Sequence, residues 1–281
     1  MADAVTLARF WQLYESGYLP SVGSWVQVAP DSDLTTVLNA FNSLGEQQLE
    51  IFLIDQSGST VVWHVPDPLA TNKTLRIDLE TIIPAESLPF EGAVWVWALG
   101  DSSEGSIGLQ AIDLDFVDRT RPEGHSAGSV HIVFDFINTL SMGPFMDYVS
   151  PRVLVDATPE GSQRYQNYLG VAHIPLELGT AGMELEISLT NEAGETQTAD
   201  PIELESMGSW FGSLEALFPG MPEFLARDGE DRGYGTVNVR EANGRTTGLA
   251  GMLKVVDVVN SSLMVNHLND RNFARPAMKE D

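Results

Sequence analysis

Leu49-Glu-Ile-Phe-Leu-Ile-Asp-Gln-Ser-Gly-Ser-Thr60 recurs in altered form as Leu185-Glu-Ile-Ser-Leu-Thr-Asn-Glu-Ala-Gly-Glu-Thr196. Leu, Glu, Ile, Leu, Gly and Thr keep their places, and Asp55 is matched by Asn191. Each copy is an apolar-rich run with strand-like alternation, stopped by a polar turn that ends in Gly, which predicts a β-hairpin. A second echo follows each copy: Gly92-Ala-Val-Trp-Val-Trp-Ala-Leu-Gly100 is answered by Gly235-Thr-Val-Asn-Val-Arg-Glu-Ala-Asn243, with Gly, Val and Val in register. Two echoes at similar spacing predict a duplicated β domain.

A chain of 281 residues can hold two domains of ordinary size. Its 43% hydrophobic content suffices for real cores. Acidic residues outnumber basic ones 40 to 15, for a net charge of -25. Nucleic acid and anionic membranes, which select basic patches, are therefore poor partners. There is no cysteine, which excludes disulfides, thiolate metal sites and a cysteine nucleophile. The first residues lack the charged n-region and apolar core of a signal peptide, and no apolar run approaches the ~20 residues of a membrane-spanning helix. The expected location is the cytoplasm, with leaderless export or a virion left open.

Residues 4–15 carry apolar side chains at helical spacing and end at Gly17, predicting a short amphipathic helix. Strands are expected over Trp25–Val28, Leu34–Phe41, the 48–65 hairpin, Thr74–Leu79, Ala93–Leu99 and Ser106–Val117, about seven at sandwich spacing. The polar stretch Arg119–Gly128 is the expected linker. Beyond it, strands are expected over Ser129–Ile137, Pro151–Asp156, Leu169–Leu178, the 183–204 hairpin, 235–239, 252–259 and 263–267, with 158–167 as a loop. Trp210, Phe211, Leu214, Leu217 and Phe218 stand at helical spacing before Pro219-Gly220, predicting an inserted helix near 207–218. The expected fold is all-β: two tandem β-sandwich (jelly-roll-like) domains. Residues 1–24 are the N-terminal helix and lead-in, 25–124 the first sandwich, and 125–281 the second with a polar tail.

No Gly-x-Ser-x-Gly, phosphate-binding loop or dinucleotide fingerprint occurs. His64, His125, His131, His173 and His267 are scattered singly, without the spacing that pairs metal ligands. Asp113 and Asp115 share a strand face, and paired carboxylates could serve a hydrolase. Asp228, Glu230 and Asp231 offer oxygens for Ca²⁺ but lack the regularity of a calcium loop. No other cofactor is expected. Trp95 and Trp97 share a face, with Trp63 on a neighbouring strand; such a row can stack on sugar rings or fill a core. The closing segment Met264–Phe273 places His267, Asn269, Asp270 and Arg271 together, as a pocket or as ties for the tail.

The run Gly17-Tyr-Leu-Pro20, Thr36-Val-Leu-Asn-Ala40, the 49–62 hairpin, Pro66, Leu75-Arg-Ile-Asp-Leu79 and the ending Leu263-Met-Val-Asn-His267 with Asp270-Arg271 resemble the bacterial sensory rhodopsin transducer family. The chain departs from that family in length, duplication and the 207–225 insertion. The resemblance implies a non-enzymatic β-sandwich binding or adaptor protein, working as a homo-oligomer on a small molecule or carbohydrate. A structural assembly subunit and an acid-residue or metal-dependent hydrolase are the alternatives. The candidate ligand residues are Trp63, Trp95, Trp97, His267, Asn269, Asp270 and Arg271.

Overall fold

The computed structural model describes residues 4–16, 20–42, 45–100, 111–120, 126–131, 147–158, 161–175, 179–227, 230–242, 248–260, 262–267 and 269–270. The chain opens with α1 (Ala4–Glu15). The first half then forms β1 (Ser21–Val28), β2 (Leu34–Asn42), β3 (Gln47–Asp55), β4 (Thr60–His64), β5 (Lys73–Asp78), β6 (Phe90–Gly100), β7 (Ala111–Asp118) and β8 (Ser126–His131). They pair in two antiparallel sheets of order β4-β3-β6-β1 and β5-β2-β7-β8.

The second half forms β9 (Asp147–Asp156), β10 (Tyr165–Ile174), β11 (Met183–Asn191), β12 (Thr196–Thr198), β13 (Ile202–Leu204), β14 (Ser209–Ser213), α2 (Leu214–Leu217), α3 (Met221–Leu225), β15 (Arg232–Glu241), β16 (Gly248–Asp257), β17 (Ser262–His267) and β18 (Asn269–Asp270). Its sheets have the order β12-β11-β15-β9 and β14-β10-β16-β17, with β13 added on β11 and β18 on β9. Strand for strand this is the order of the first half, so the protein is two tandem β-sandwiches of one topology.

The two sequence echoes explain why. In the first sandwich Leu49, Ile51 and Leu53 of β3 lie opposite Ala98, Val96 and Val94 of β6, and Asp55 lies opposite Gly92. In the second, Ile187 and Leu189 of β11 lie opposite Val239 and Val237 of β15, and Asn191 opposite Gly235. The repeated apolar positions are buried in the two cores, one set in each. Alternation puts the unrepeated residues on the other face. There the first copy has Phe52, Ile54, Trp95 and Trp97, and the second has Ser188, Thr190, Thr236 and Asn238.

The hairpin turns match in detail. Gly58 N–H donates to Asp55 O and Asp55 N–H to Ser59 O, both at 3.0 Å; Gly194–Asn191 and Asn191–Glu195 repeat the two bonds at the same length. Asp55 Oδ1 accepts from Ser59 N–H at 3.0 Å, and Asn191 Oδ1 from Glu195 N–H at 2.9 Å. Gly58 and Gly194 have φ of 81° and 84°, the left-handed bulge position of a three-residue hairpin. Their surroundings differ. A Cβ on Gly58 would lie 2.1 Å from the Ser206 carbonyl oxygen, whereas one on Gly194 meets nothing within 4 Å. Gly194→Ala is therefore expected to cost about 1–2 kcal/mol, the left-handed penalty alone. Gly58→Ala should cost clearly more, and equal urea midpoints for the two variants would contradict this packing.

Three boundaries differ from the sequence expectation. Ser126–His131, assigned to the linker and the second sandwich, pairs with β7 and completes the first, because edge hydrogen bonds rather than composition decide which sheet a strand joins. β1 begins at Ser21, inside the expected lead-in, and β10 begins at Tyr165, inside the expected 158–167 loop. The helix near 207–218 is one turn, α2, with Ser213 as its N-cap accepting from Ala216 N–H. Before it, Trp210 and Phe211 alternate on β14, one packed on each sandwich core. The expected strand residues 106–110 and 132–137 lie outside the described ones.

Between the sandwiches runs a third apolar layer. Phe10, Trp11 and Leu13 of α1 pack with Phe52, Ile54, Trp95 and Trp97, and with Ala172, Ile174 and Ala250 of the second sandwich. Tyr14 donates its hydroxyl hydrogen to Pro175 O, and Ser209 N–H donates to Gln56 O at 3.1 Å. The first sandwich also borrows from the second to finish its own core: Met252 of β16 is buried in it, with Tyr168, Phe211, Leu263 and Val265 packed alongside. No helix among the described residues is long and apolar enough to cross a membrane.

Candidate functional site

Trp95 and Trp97 are 0% exposed, roofed by Phe10 at ring-centroid distances of 5.2 and 5.1 Å. They are core under α1 and offer no face to a ligand; helix docking, invisible in strand alternation, decided this. Trp63 lies at the sheet edge, 36% exposed, stacked on Phe52 with its indole N–H donating to Glu50 at 3.0 Å. Arg9 Nε also donates to Glu50, at 2.9 Å, so the tryptophan helps staple α1 to β3.

The backbone of the closing segment divides between the two sheets of the second sandwich. His267 lies opposite Met252 in one sheet, while Asn269 and Asp270 pair with Val149 and Tyr148 in the other. Arg271 lies outside the described residues, as does Asp228. Of the other Ca²⁺ candidates, Glu230 accepts from Arg232 Nε at 3.0 Å, and Asp231 is exposed. Asp115 accepts from Asn39 at 2.7 Å and from Arg76 at 3.2 Å on the outer face of β7. Among the described residues no group of three metal-ligating side chains occurs. Buried His173 is held neutral down to about pH 4 by desolvation, partly offset by the Glu205 carbonyl, and is structural.

The structure instead points to a groove of about 370 Å³ at one corner of the second sandwich. Its walls include Asp156, Arg164, Tyr165, Arg227, Arg232 and Tyr234. Three of the chain's 15 basic residues thus converge on one place. The corner is made by the end of β9, the start of β10 and the passage from α3 into β15. A Cβ on Gly233 would lie 1.8 Å from Leu225 O, so glycine alone lets α3 press onto β15 there. Arg227 N–H then donates to Arg232 O at 3.1 Å and sets the two arginines side by side.

Each guanidinium is held by carboxylate. Arg164 donates to Asp257 at 2.7 and 3.1 Å and approaches Asp156 at 3.6 Å. Arg227 makes a bidentate pair with Glu192 at 2.6 and 3.0 Å, and Arg232 pairs with Glu230. Hydrogen bonding to Arg164, with help from Asn260, pulls the Asp257 carboxyl well below the usual range; Arg227, then Tyr234, lowers that of Glu192. Arg164 lies over the Tyr165 ring at 5.0 Å and Arg227 over the Tyr234 ring at 5.4 Å. Tyr234 remains 44% exposed. Around Arg227 the surface continues into a larger, acidic depression of about 760 Å³ with Glu192, Glu195 and Glu223.

The matching positions of the first sandwich carry different residues. Register matches Tyr165, opposite Asp257, with Leu34, opposite Asp118. It likewise matches Gly233, opposite Val155, with Phe90, opposite Val28. There Phe90 is buried in the first core, where the second sandwich has α3 pressed on Gly233, and Asp33 and Pro89 stand where Arg164 and Arg232 do. Sequence reading passed over Arg164 and Tyr165 because 158–167 reads as a polar loop. Arg-Tyr at 164–165 and Arg-Gly-Tyr at 232–234, absent from the first copy, were the available signal.

Fold and site together define a tandem β-sandwich protein with a polar, aromatic-lined groove at a corner of its second sandwich. No protein-family model matches the chain, and no curated protein matches it. Among solved structures it is similar to the apo form of a Pleurotus ostreatus lectin, at 8% identity over 90% of this chain and 82% of that one, with a TM-score of 0.20. It is also similar to a Bacteroides uniformis β-glucuronidase, at 9% identity over 90% of this chain and 26% of that one, with a TM-score of 0.15. Likenesses this low carry no argument about ligand or activity.

Proposed function

We propose that the chain is a non-enzymatic binding module whose second sandwich holds a neutral, hydroxyl-rich small molecule, such as a sugar, in the Tyr165–Tyr234 groove. The observation that carries this is the set of three arginines, each already paired with carboxylate, between two tyrosines, in one copy of a duplicated fold and not the other. Paired guanidiniums and carboxylates present fixed donors and acceptors without net positive charge, which suits hydroxyls that both donate and accept. An anionic ligand would meet four carboxylates behind three cations. The exposed tyrosine ring supplies the apolar surface that the C–H face of a sugar needs. The carboxyls of Asp257 and Glu192 are pulled below the usual range, the opposite of what a general acid requires, which supports binding over hydrolysis. A binding or adaptor role is also what the resemblance to the sensory rhodopsin transducer family implies.

Saturation-transfer NMR and calorimetry against neutral oligosaccharides, uronates and phosphates test this reading. Neutral sugars should bind, and Tyr234→Ala or Arg164→Ala should weaken them by about ten-fold or more, a 1.4 kcal/mol loss. Tighter binding of the anions, or affinity untouched by both substitutions, would overturn it.

A further inference from the structure

The seam between the sandwiches contains a lysine that neither core requires. Lys254 projects from β16 of the second sandwich into the first, where its neighbours are Trp25 of β1 and Phe116 of β7. Nζ lies 3.8 Å from the Trp25 ring centroid and 3.9 Å from that of Phe116, and the residue is 6% exposed. The side chain is therefore clamped between aromatic faces of the opposite sandwich. Among the described residues no carboxylate stands within ion-pair distance of it. The opposite charge that acts on it is Glu91 of β6, which accepts from Gln56 at 2.8 Å. The Trp25 indole N–H lies close enough to favour the Glu91 carboxylate but makes no hydrogen bond of good geometry.

We propose that Lys254 makes this seam proton-sensitive: the sandwiches close tightly on the neutral amine, and the joint loosens when the amine takes up a proton. A buried ammonium loses its hydration, and two ring faces and one distant carboxylate replace only part of it. Exposed on an opened seam, the same group regains water at once. Trp25 anchors the closed arrangement, packing at 5.2 Å from Phe211 and 6.1 Å from Tyr168 of the second sandwich.

The charged and titratable groups facing the amine are Glu91 from β6 and Tyr168 from β10; β1 and β7 present Trp25 and Phe116, and β17 presents Val265. Burial lowers Lys254 from its usual 10.5 to about 7, with Glu91 pulling the other way. The open seam thus binds the proton more readily than the closed one between about pH 7 and 10.5, so closure weakens as pH falls through that window and changes no further through Lys254 below it. Burial raises Glu91, and Lys254 partly reverses this. Glu91 therefore opposes closure as it ionises, at pH values above its ordinary range.

The chain has three lysines, Lys73, Lys254 and Lys279, so lysine-selective NMR can follow each side chain. Lys254 should titrate near neutral pH. Amide exchange in β1 and β16, corrected for intrinsic rate, should report an opening equilibrium that rises about ten-fold or more from pH ~9.5 to ~7. In Lys254→Met the rise should vanish, and in Glu91→Gln the Lys254 titration should move lower. A Lys254 titration above pH 9 in the unaltered protein, or the same exchange profile in Lys254→Met, would overturn the proposal. Should Lys254→Met fail to fold, the titrations of the unaltered chain and of Glu91→Gln still decide it.

Discussion

Phe10→Ala should lower the unfolding free energy by about 3–5 kcal/mol, the range for deleting a buried aromatic side chain from a packed site. Phe10 meets Phe52, Trp95 and Trp97 edge-on at 5.4, 5.2 and 5.1 Å, and no part of it is exposed. Its loss leaves a cavity above two tryptophans that cannot move, because they stand on the central strand β6. The neighbouring Trp11 and Leu13 then hold α1 with less area, so tryptophan fluorescence should also shift to the red as water reaches the sheet. Val5→Ala on the 61% exposed side of the helix should change stability by no more than about 0.5 kcal/mol. Urea denaturation of both variants checks this; a cost under 1 kcal/mol for Phe10→Ala would mean that α1 is not the roof of this sheet.

Leu53→Ala and Leu189→Ala are the paired test of the duplication, each expected to cost about 2–5 kcal/mol. The two leucines hold the same register position, opposite Val94 and Val237, and both are fully buried. The seam adds a sharper expectation. Because Met252 of the second sandwich completes the core of the first, and α1 joins Trp95 to Ile174, the two halves share buried surface. Calorimetry should therefore show one cooperative transition, lowered by either substitution. Two transitions, each answering to one leucine, would show that the sandwiches fold independently and the seam contributes little.

The repeat made the fold readable because its signal is local. Leu49, Ile51 and Leu53, with their partners at 185, 187 and 189, need only period-two alternation and a turn with Asp or Asn at its start and Gly at its left-handed position. These requirements are met within a dozen residues. α1 was readable for the same reason, from apolar side chains at helical spacing ended near Gly17. The strands that alternation placed badly lie at edges. Ser126–His131 joined the first sandwich by completing hydrogen bonding along the preceding strand β7, and Ser209–Ser213 became a strand by pairing with β10, some forty residues earlier.

The site was much less legible. Trp95 and Trp97 alternate in the same way whether water, a sugar or a helix covers them, and it is Phe10, some 85 residues earlier, that decides in favour of the helix. Arg164, Arg227 and Arg232 come together only because β10 starts beside the end of β9 and Gly233 lets α3 lie close on β15. The sequence by itself determined what a short stretch can satisfy alone: strand alternation, hairpin turns, the first helix, the duplication and the acidic surface. The tertiary structure decided which faces are covered, which edges are paired and which distant side chains meet. Those outcomes depend on packing between segments far apart in the chain, and at that range the pattern of neighbouring residues carries no information.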